Sequence, residues 1–142
     1  MKFLVFLAAI ILTLGLLAAI VPQFTDCASD GKSVVLANGK SIPMKCHWSA
    51  RAEIAVGVPI LGIALGSAFS RRKETVRILS MLGVVLGALV ILLPTTLIGV
   101  CTTPGMTCNT TMRPAMIAVG SLVIAASLCM LAYNELRGRA EM

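Results

Sequence analysis

Long apolar runs, separated by short polar connections, dominate the pattern of this chain. A helix that crosses a bilayer needs roughly 20 predominantly apolar residues. Four runs reach about that length, at residues 3–21, 52–69, 78–100 and 115–133, and Glu53 is the only charged residue in them. The pattern predicts an all-α membrane protein built as a bundle of four transmembrane helices.

Composition agrees with this prediction and excludes most soluble classes. Of the 142 residues, 58% are apolar and only 13% are charged. A chain of this composition cannot cover a water-facing surface with polar groups. Nucleic-acid binding is not expected either, because the net charge of +6 has no soluble domain to present it as a basic face. The first run lacks an A-x-A cleavage site where a signal peptide would have one, so it is interpreted as a retained helix.

Lysine and arginine in the short connections predict the orientation. The stretch 70–77 reads SRRKETVR and the tail 134–142 reads NELRGRAEM. Such basic segments stay on the cytoplasmic side. Both termini are therefore expected in the cytoplasm, in contact with anionic lipid of the cell (plasma) membrane. The connections 22–50 and 101–113 are then expected outside.

Recurring motifs indicate an internal duplication. The first and third runs end in G-x6-P, as GLLAAIVP and GALVILLP, and the second and fourth each contain IAVG. Before each IAVG stands M-x-C-x4-R, as MKCHWSAR and MTCNTTMR. Two parallel helix–loop–helix repeats in one membrane domain are typical of such a pattern. The predicted domain spans 1–142, with repeats at about 1–70 and about 76–134 and a cytoplasmic tail at 134–142.

Four cysteines fall in the predicted outer connections, where disulfides persist. Each connection holds two, which predicts one disulfide within each, Cys27–Cys46 and Cys101–Cys108. Between the first pair, SVVLA and SIP flank Asn38-Gly39, the sequence signal of a β-hairpin. The fifth cysteine, Cys129, is predicted to be an inert buried thiol in the last helix.

Two other chemistries remain open for the outer cysteines. The soft side chains of Met44, Cys46, His47, Met106 and Cys108 could bind Cu(I) if the thiols stay reduced. The layout also resembles the four-span disulfide oxidoreductases, which pass electrons from outer cysteines to a quinone. Those enzymes carry a C-x-x-C pair, which this chain lacks.

Charged and aromatic residues at the outer helix ends admit a functional and a structural interpretation. Arg51, Arg113 and Glu53 could bind an anion or a quinone headgroup. Otherwise the arginines extend to the lipid phosphates and Glu53 pairs with one of them. His47 and Trp48 are expected to lie at the headgroup level.

Small residues predict where helices approach each other closely. Gly57, Gly62 and Gly66 form one stripe, and Gly83 with Gly87 forms another. Each stripe would pack within the bundle or against a partner chain.

Two sequence elements carry a family resemblance. Lys45-Cys46-His47-Trp48 precedes the second helix, and residues 94–101, PTTLIGVC, end the third. With these elements the chain resembles an uncharacterised prokaryotic family of small four-span membrane proteins. The resemblance implies the fold and the paired connections, and hints at an ABC-type export permease as partner.

Catalytic groups are scarce, with one histidine and six acidic residues. The sequence therefore predicts a non-catalytic membrane subunit, without cofactor or resident metal. It would act through its helices and outer connections on another membrane protein or on a second copy of itself. A quinone-linked thiol–disulfide oxidoreductase is the alternative, and a copper-binding protein comes third.

Overall fold

Four long helices form the body of the protein. A computed structural model describes residues 2–26, 31, 33–70, 72–101 and 105–140. Residues 138–140 are described by their backbone alone. The helices are α1 (Lys2–Thr25), α2 (Lys45–Phe69), α3 (Lys73–Leu92) and α4 (Arg113–Ala140). All four are long and apolar enough to cross a membrane. The prediction of a four-helix, multi-pass membrane protein is confirmed.

The helices pack as two pairs, α1 mainly on α2 and α3 mainly on α4. Successive helices run in opposite directions, so two ends of the bundle can be distinguished. The cysteine end holds the starts of α2 and α4 and the chain between α3 and α4. The basic end holds Arg72, Lys73 and Arg77; Arg71 of the predicted basic loop lies outside the described residues. There Asn134 Nδ2 donates a hydrogen bond to Lys73 O at 2.9 Å, which ties the end of α4 to the start of α3.

Equivalent glycines lie where the two backbones come close in each helix pair. A Cβ atom on Gly57 of α2 would lie 3.2 Å from the carbonyl oxygen of Gly15 in α1. A Cβ atom on Gly120 of α4 would lie 2.7 Å from the carbonyl oxygen of Gly87 in α3. Gly15 and Gly87 open the two G-x6-P motifs, and Gly57 and Gly120 close the two IAVG motifs. The same crossing in both pairs is what a duplication produces, although the duplication stays a prediction.

The other predicted packing glycines differ in their surroundings. A Cβ atom on Gly83 would lie 2.5 Å from Ser127 Oγ, and one on Gly66 would lie 3.1 Å from the Leu79 side chain. Gly62 is exposed, and no atom of the described residues lies within 4 Å of the position its Cβ would take. One edge of the α2 stripe is therefore left open on the lipid-facing surface.

A small β-hairpin stands at the cysteine end. Strands β1 (Val34–Val35) and β2 (Ser41–Ile42) pair antiparallel, with Val34 opposite Ile42. The turn between them holds Asn38 and Gly39, whose φ of 78° favours glycine. The predicted hairpin is confirmed.

Helix ends at the cysteine end differ from the predicted ones. The second helix begins at Lys45, before its predicted start at 52, so the Lys45-Cys46-His47-Trp48 element is helical. Wide π-helical turns at Leu93–Leu97 and Cys108–Met112 extend α3 and precede α4. In the first turn, Ile98 and Gly99 both donate to the Leu93 carbonyl oxygen, at 3.1 and 3.0 Å. These turns set the direction of the chain between α3 and α4.

Candidate functional site: a sulfur cluster at one end of the bundle

Three cysteines from three separate segments meet at the cysteine end. Their Sγ atoms, those of Cys46, Cys101 and Cys108, all lie within 4.8 Å of one another. The Sγ atoms of Cys101 and Cys46 are 4.0 Å apart. The Sδ atom of Met44 lies 3.9 Å from Cys101 Sγ. We call these four residues the sulfur cluster.

Local structure explains why these sulfurs converge. Cys46 lies in the first turn of α2, and Cys108 begins the π-helical turn that leads into α4. Both helices start at the same end, and the pairing of α1–α2 with α3–α4 brings the two starts together. Cys101 follows Gly99, whose positive φ of 77° turns the chain back after α3. Two of the cysteine sulfurs thus come from helix starts that lie side by side, and the third comes from the chain that leaves α3.

Burial separates the members of the cluster. Cys46 and Cys108 are fully buried, at 0% exposure, whereas Cys101 and Met44 are half-buried. A cavity of about 410 Å³ lies between the hairpin and the cluster, and Met44, Lys45 and Cys101 form part of its wall. The rest of its lining is apolar: Val34, Leu36, Ile42 and Pro43. Cys101 is therefore the cysteine of the cluster that a molecule in this cavity would meet.

The two predicted disulfides have different outcomes. Cys46 is disulfide-bonded, and Cys27, its predicted partner, lies outside the described residues, so that bridge stays a prediction. Cys101 and Cys108 are thiols in the structure, so the bridge predicted between them is not shown. Pairing the cysteines by connection also missed the approach of Cys101 to Cys46. The repeat could have indicated this approach. Cys46 and Cys108 occupy equivalent motif positions at the starts of two helices, and Cys101 lies at the same end of the bundle.

A buried carboxyl group lies deeper in the bundle on the same face of α2. Glu53 is fully buried, and neither of its carboxylate oxygens has a hydrogen-bond partner within the described part of the chain. The buried Ser49 Oγ, one turn nearer the cysteine end, likewise has none there. Cys46 and Glu53 differ by about two helical turns, which places the carboxyl roughly 10 Å from the cluster along the axis.

The predicted pairing of Glu53 with an arginine is wrong. Arg51 and Arg113 are both exposed. Arg51 precedes Glu53 by two positions, which directs it to roughly the opposite side of α2. The arginines are therefore placed to reach lipid headgroups, and Glu53 faces the interior without a hydrogen-bond partner among the described residues.

The other predicted site residues are at the cysteine end but outside the cluster. His47 Nδ1 lies 3.0 Å from Asp26 Oδ2, so the imidazole is engaged by a buried carboxylate. Trp48 is 60% exposed and meets the His47 ring edge-on at 6.0 Å between centroids. Met106 is half-buried and packs against the core. Of the residues predicted as copper ligands, Met44, Cys46 and Cys108 come together, and Cys101 takes the place of His47.

The prediction for Cys129 is wrong. Its side chain is exposed on α4, because Met130 and Ser127 occupy the buried positions around it. In a bilayer this thiol faces lipid, far from the sulfur cluster.

The chain belongs to the family described as "Domain of unknown function (DUF4418)", which matches residues 3–133. This confirms the resemblance to a family of small four-span membrane proteins without an assigned chemistry. No curated protein matches the chain, and no solved structure matches it. The geometry of the site is thus the main guide to function.

Proposed function

We propose that the protein performs thiol–disulfide exchange at the sulfur cluster, with Cys101 as the thiol that meets an external partner. The observation that carries this proposal is the 4.0 Å separation between Cys101 Sγ and the sulfur of disulfide-bonded Cys46. A thiolate exchanges by attacking a disulfide sulfur directly, so the two sulfurs must be in contact. Here they are in van der Waals contact before any rearrangement.

The exchange is balanced within the cluster. The thiolate of Cys101 attacks Cys46 Sγ, a bond forms between these two sulfurs, and the former partner of Cys46 leaves as a thiolate with the electron pair of the broken bond. This step needs no external oxidant. A second exchange starts from a mixed disulfide between Cys101 and an external thiol. Cys108, whose sulfur lies within 4.8 Å of Cys101, can attack this disulfide at Cys101 Sγ. The external thiolate then leaves, and a Cys101–Cys108 bond remains.

The packing of the cluster compensates for the absence of a C-x-x-C motif, which argued against a redox role. A C-x-x-C motif keeps two sulfurs close through the local chain, and this protein has none among its outer cysteines. Packing of α2 against the end of α3 achieves the same closeness between distant residues. Electrons could pass onward to a lipid quinone or to a partner's disulfide. Either acceptor would balance a full turnover.

The orientation we propose places the cysteine end outside the cell and the basic end in the cytoplasm of a plasma membrane. Arg72, Lys73 and Arg77 support it through the positive-inside tendency. In a variant with Cys129→Ser and a cysteine at Glu74, an impermeant maleimide should label residue 74 only after cells are opened. Labelling of residue 74 in intact cells would show that the basic end lies outside the cell. The sulfur cluster would then lie in the cytoplasm, which is a reducing compartment.

Non-reducing peptide mapping tests the exchange itself. Wild-type protein in nanodiscs, equilibrated with reduced and oxidised glutathione, is expected to form a Cys46–Cys101 linkage. Cys108→Ser removes the resolving thiol, so mixed disulfide with glutathione should accumulate at Cys101. It should form there about 100-fold faster than at Cys129, the lipid-facing control thiol, because reactivity follows access and thiolate character.

One outcome contradicts the proposal. If only the bridges Cys27–Cys46 and Cys101–Cys108 occur at every glutathione ratio, the cysteines are structural. That result would favour the second candidate, a non-catalytic subunit that binds an ABC-type export permease, another membrane protein or a second copy of itself. Two exposed features support this candidate: the apolar strands of the hairpin, with Val34 and Val35 at 51% and 69% exposure, and the open edge at Gly62.

A further inference from the structure

We infer that the reduced sulfur cluster is a binding site for Cu(I). Cys46, Cys101 and Cys108 would supply three sulfur ligands, and the thioether of Met44 a fourth. This inference goes beyond thiol exchange, since it concerns a ligand of the reduced state and no electron transfer. Three observations support it: the positions of the sulfur atoms, a ligand set that consists of sulfur alone, and the two helix starts beside the cluster.

The sulfur positions fit one ion. A metal–thiolate bond of about 2.3 Å places three sulfurs around a trigonal ion about 4.0 Å apart, and four around a tetrahedral ion about 3.8 Å apart. The measured separations are 4.0 Å from Cys101 to Cys46 and 3.9 Å from Cys101 to Met44. The largest Sγ–Sγ distance among the three cysteines is within 4.8 Å. Shifts of less than an ångström would bring the three cysteine sulfurs to bonding distance of one ion, and Met44 lies next to Cys101 as the fourth candidate ligand.

The ligand set selects a soft ion. All four donors are sulfur. Thiolates suit both Cu(I) and Zn(II), whereas the neutral thioether suits Cu(I) and is not among the usual zinc ligands. A zinc site built on three cysteines normally adds a histidine. The one histidine of this chain is held 3.0 Å from Asp26 instead. The cluster therefore favours Cu(I) over Zn(II).

Positive charge lies close to the cluster on two sides. Cys46 lies in the first turn of α2 and Cys108 at the start of the helical segment that becomes α4. The N-terminus of a helix carries partial positive charge, which attracts the negative charge of a metal–thiolate centre. Lys45 adds a full charge at the wall of the cavity. The cavity also gives an ion carrier a route to Cys101, while Cys46 and Cys108 keep the ion away from water.

Reduction is a condition of binding. Cys46 is disulfide-bonded in the structure, and a disulfide sulfur is not a thiolate ligand. Copper binding and disulfide exchange are therefore alternative states of the same sulfurs. A bound ion would hold Cys101 away from an attacking disulfide.

A competition titration tests the site. Wild-type protein in nanodiscs is reduced anaerobically with a phosphine and titrated with Cu(I) against bicinchoninate. One ion per chain is expected, with X-ray absorption that shows sulfur neighbours only. Cys101→Ser and Cys108→Ser should each weaken binding by more than about 100-fold, since even outer-shell partners of a metal cost 10–100-fold. Cys129→Ser is the matched control and should bind as the wild type does.

A variant that conserves core volume keeps the test decisive. Met44→Leu removes the thioether with little change in packing, and it should weaken binding by about 10-fold. Elution as a single species in size-exclusion chromatography checks the fold of each variant. Unchanged binding in the folded Cys101→Ser and Cys108→Ser proteins would overturn the inference. Nitrogen or oxygen neighbours at the ion, or tighter binding of Zn(II) than of Cu(I), would overturn it as well.

Discussion

Replacing Gly120 with alanine is expected to lower the free energy of unfolding by about 1–3 kcal/mol, the usual cost of overpacking a tight contact. The added Cβ atom would lie 2.7 Å from the Gly87 carbonyl oxygen and 2.6 Å from a side-chain carbon of Ile91. The carbonyl oxygen belongs to the backbone of α3 and cannot rotate away. The helices must therefore move apart where they now touch.

Gly62→Ala is the matched control for this prediction. It makes the same substitution at a helix position where no other described part of the chain lies within 4 Å of the new atom. Alanine should there stabilise the protein by up to about 1 kcal/mol, because it favours helix over the unfolded chain. Equilibrium unfolding in mixed micelles compares the two variants. Equal effects would mean that α3 and α4 do not meet at Gly87 and Gly120.

Replacing Glu53 with methionine is expected to raise the free energy of unfolding by about 1–3 kcal/mol, the cost of burying a polar group without a hydrogen bond. Both carboxylate oxygens lack a partner within the described residues, and the side chain is fully buried. Methionine has a similar length and no polar atom to desolvate. Stability should increase although the site loses an ionisable group.

The control for this prediction is Glu135→Met near the basic end. Glu135 is about half exposed and pairs with Arg77 at 3.2 Å. Exposed pairs contribute little, so its loss should change stability by less than about 1 kcal/mol. If Glu53→Met destabilises the protein, the carboxyl has a stabilising partner such as a bound water or cation. If Glu53→Met stabilises the protein as expected, the buried Glu53 carboxyl lowers the stability of the wild type. Such destabilising groups are common at functional sites.

The apolar runs predicted the architecture well, because a bilayer tests the length and composition of each helix separately. They could not predict where α2 begins. Lys45, His47 and Trp48 lower the local hydropathy, yet packing of Cys46 into the interior extends the helix through them. The Asn38-Gly39 turn was readable for a local reason as well, since its geometry depends on the turn residues themselves.

The sulfur cluster was only partly readable from the sequence. The cysteines were visible, and so was their common side of the membrane, but pairing them by connection assumed that chain neighbours are the nearest neighbours. The approach of Cys101 to Cys46 depends on how α2 packs near the π-helical turn at Leu93–Leu97, and sequence periodicity does not reveal such a turn. The predicted ion pair of Glu53 was wrong for a related reason. Its nearness to Arg51 in the sequence suggested an ion pair, whereas the helical rotation between them separates the two side chains.

The placement of the cluster has a mechanical consequence. Cys46 belongs to the first helix pair and Cys101 to the second, and the chain joins the two pairs at the opposite end, between Phe69 and Lys73. A bond between these sulfurs would close a ring through α2 and α3, with a covalent link at each end. Without it, as in the structure, packing holds the two pairs together at the cysteine end. Oxidation to this bond would hold the two pairs together covalently at the cysteine end as well.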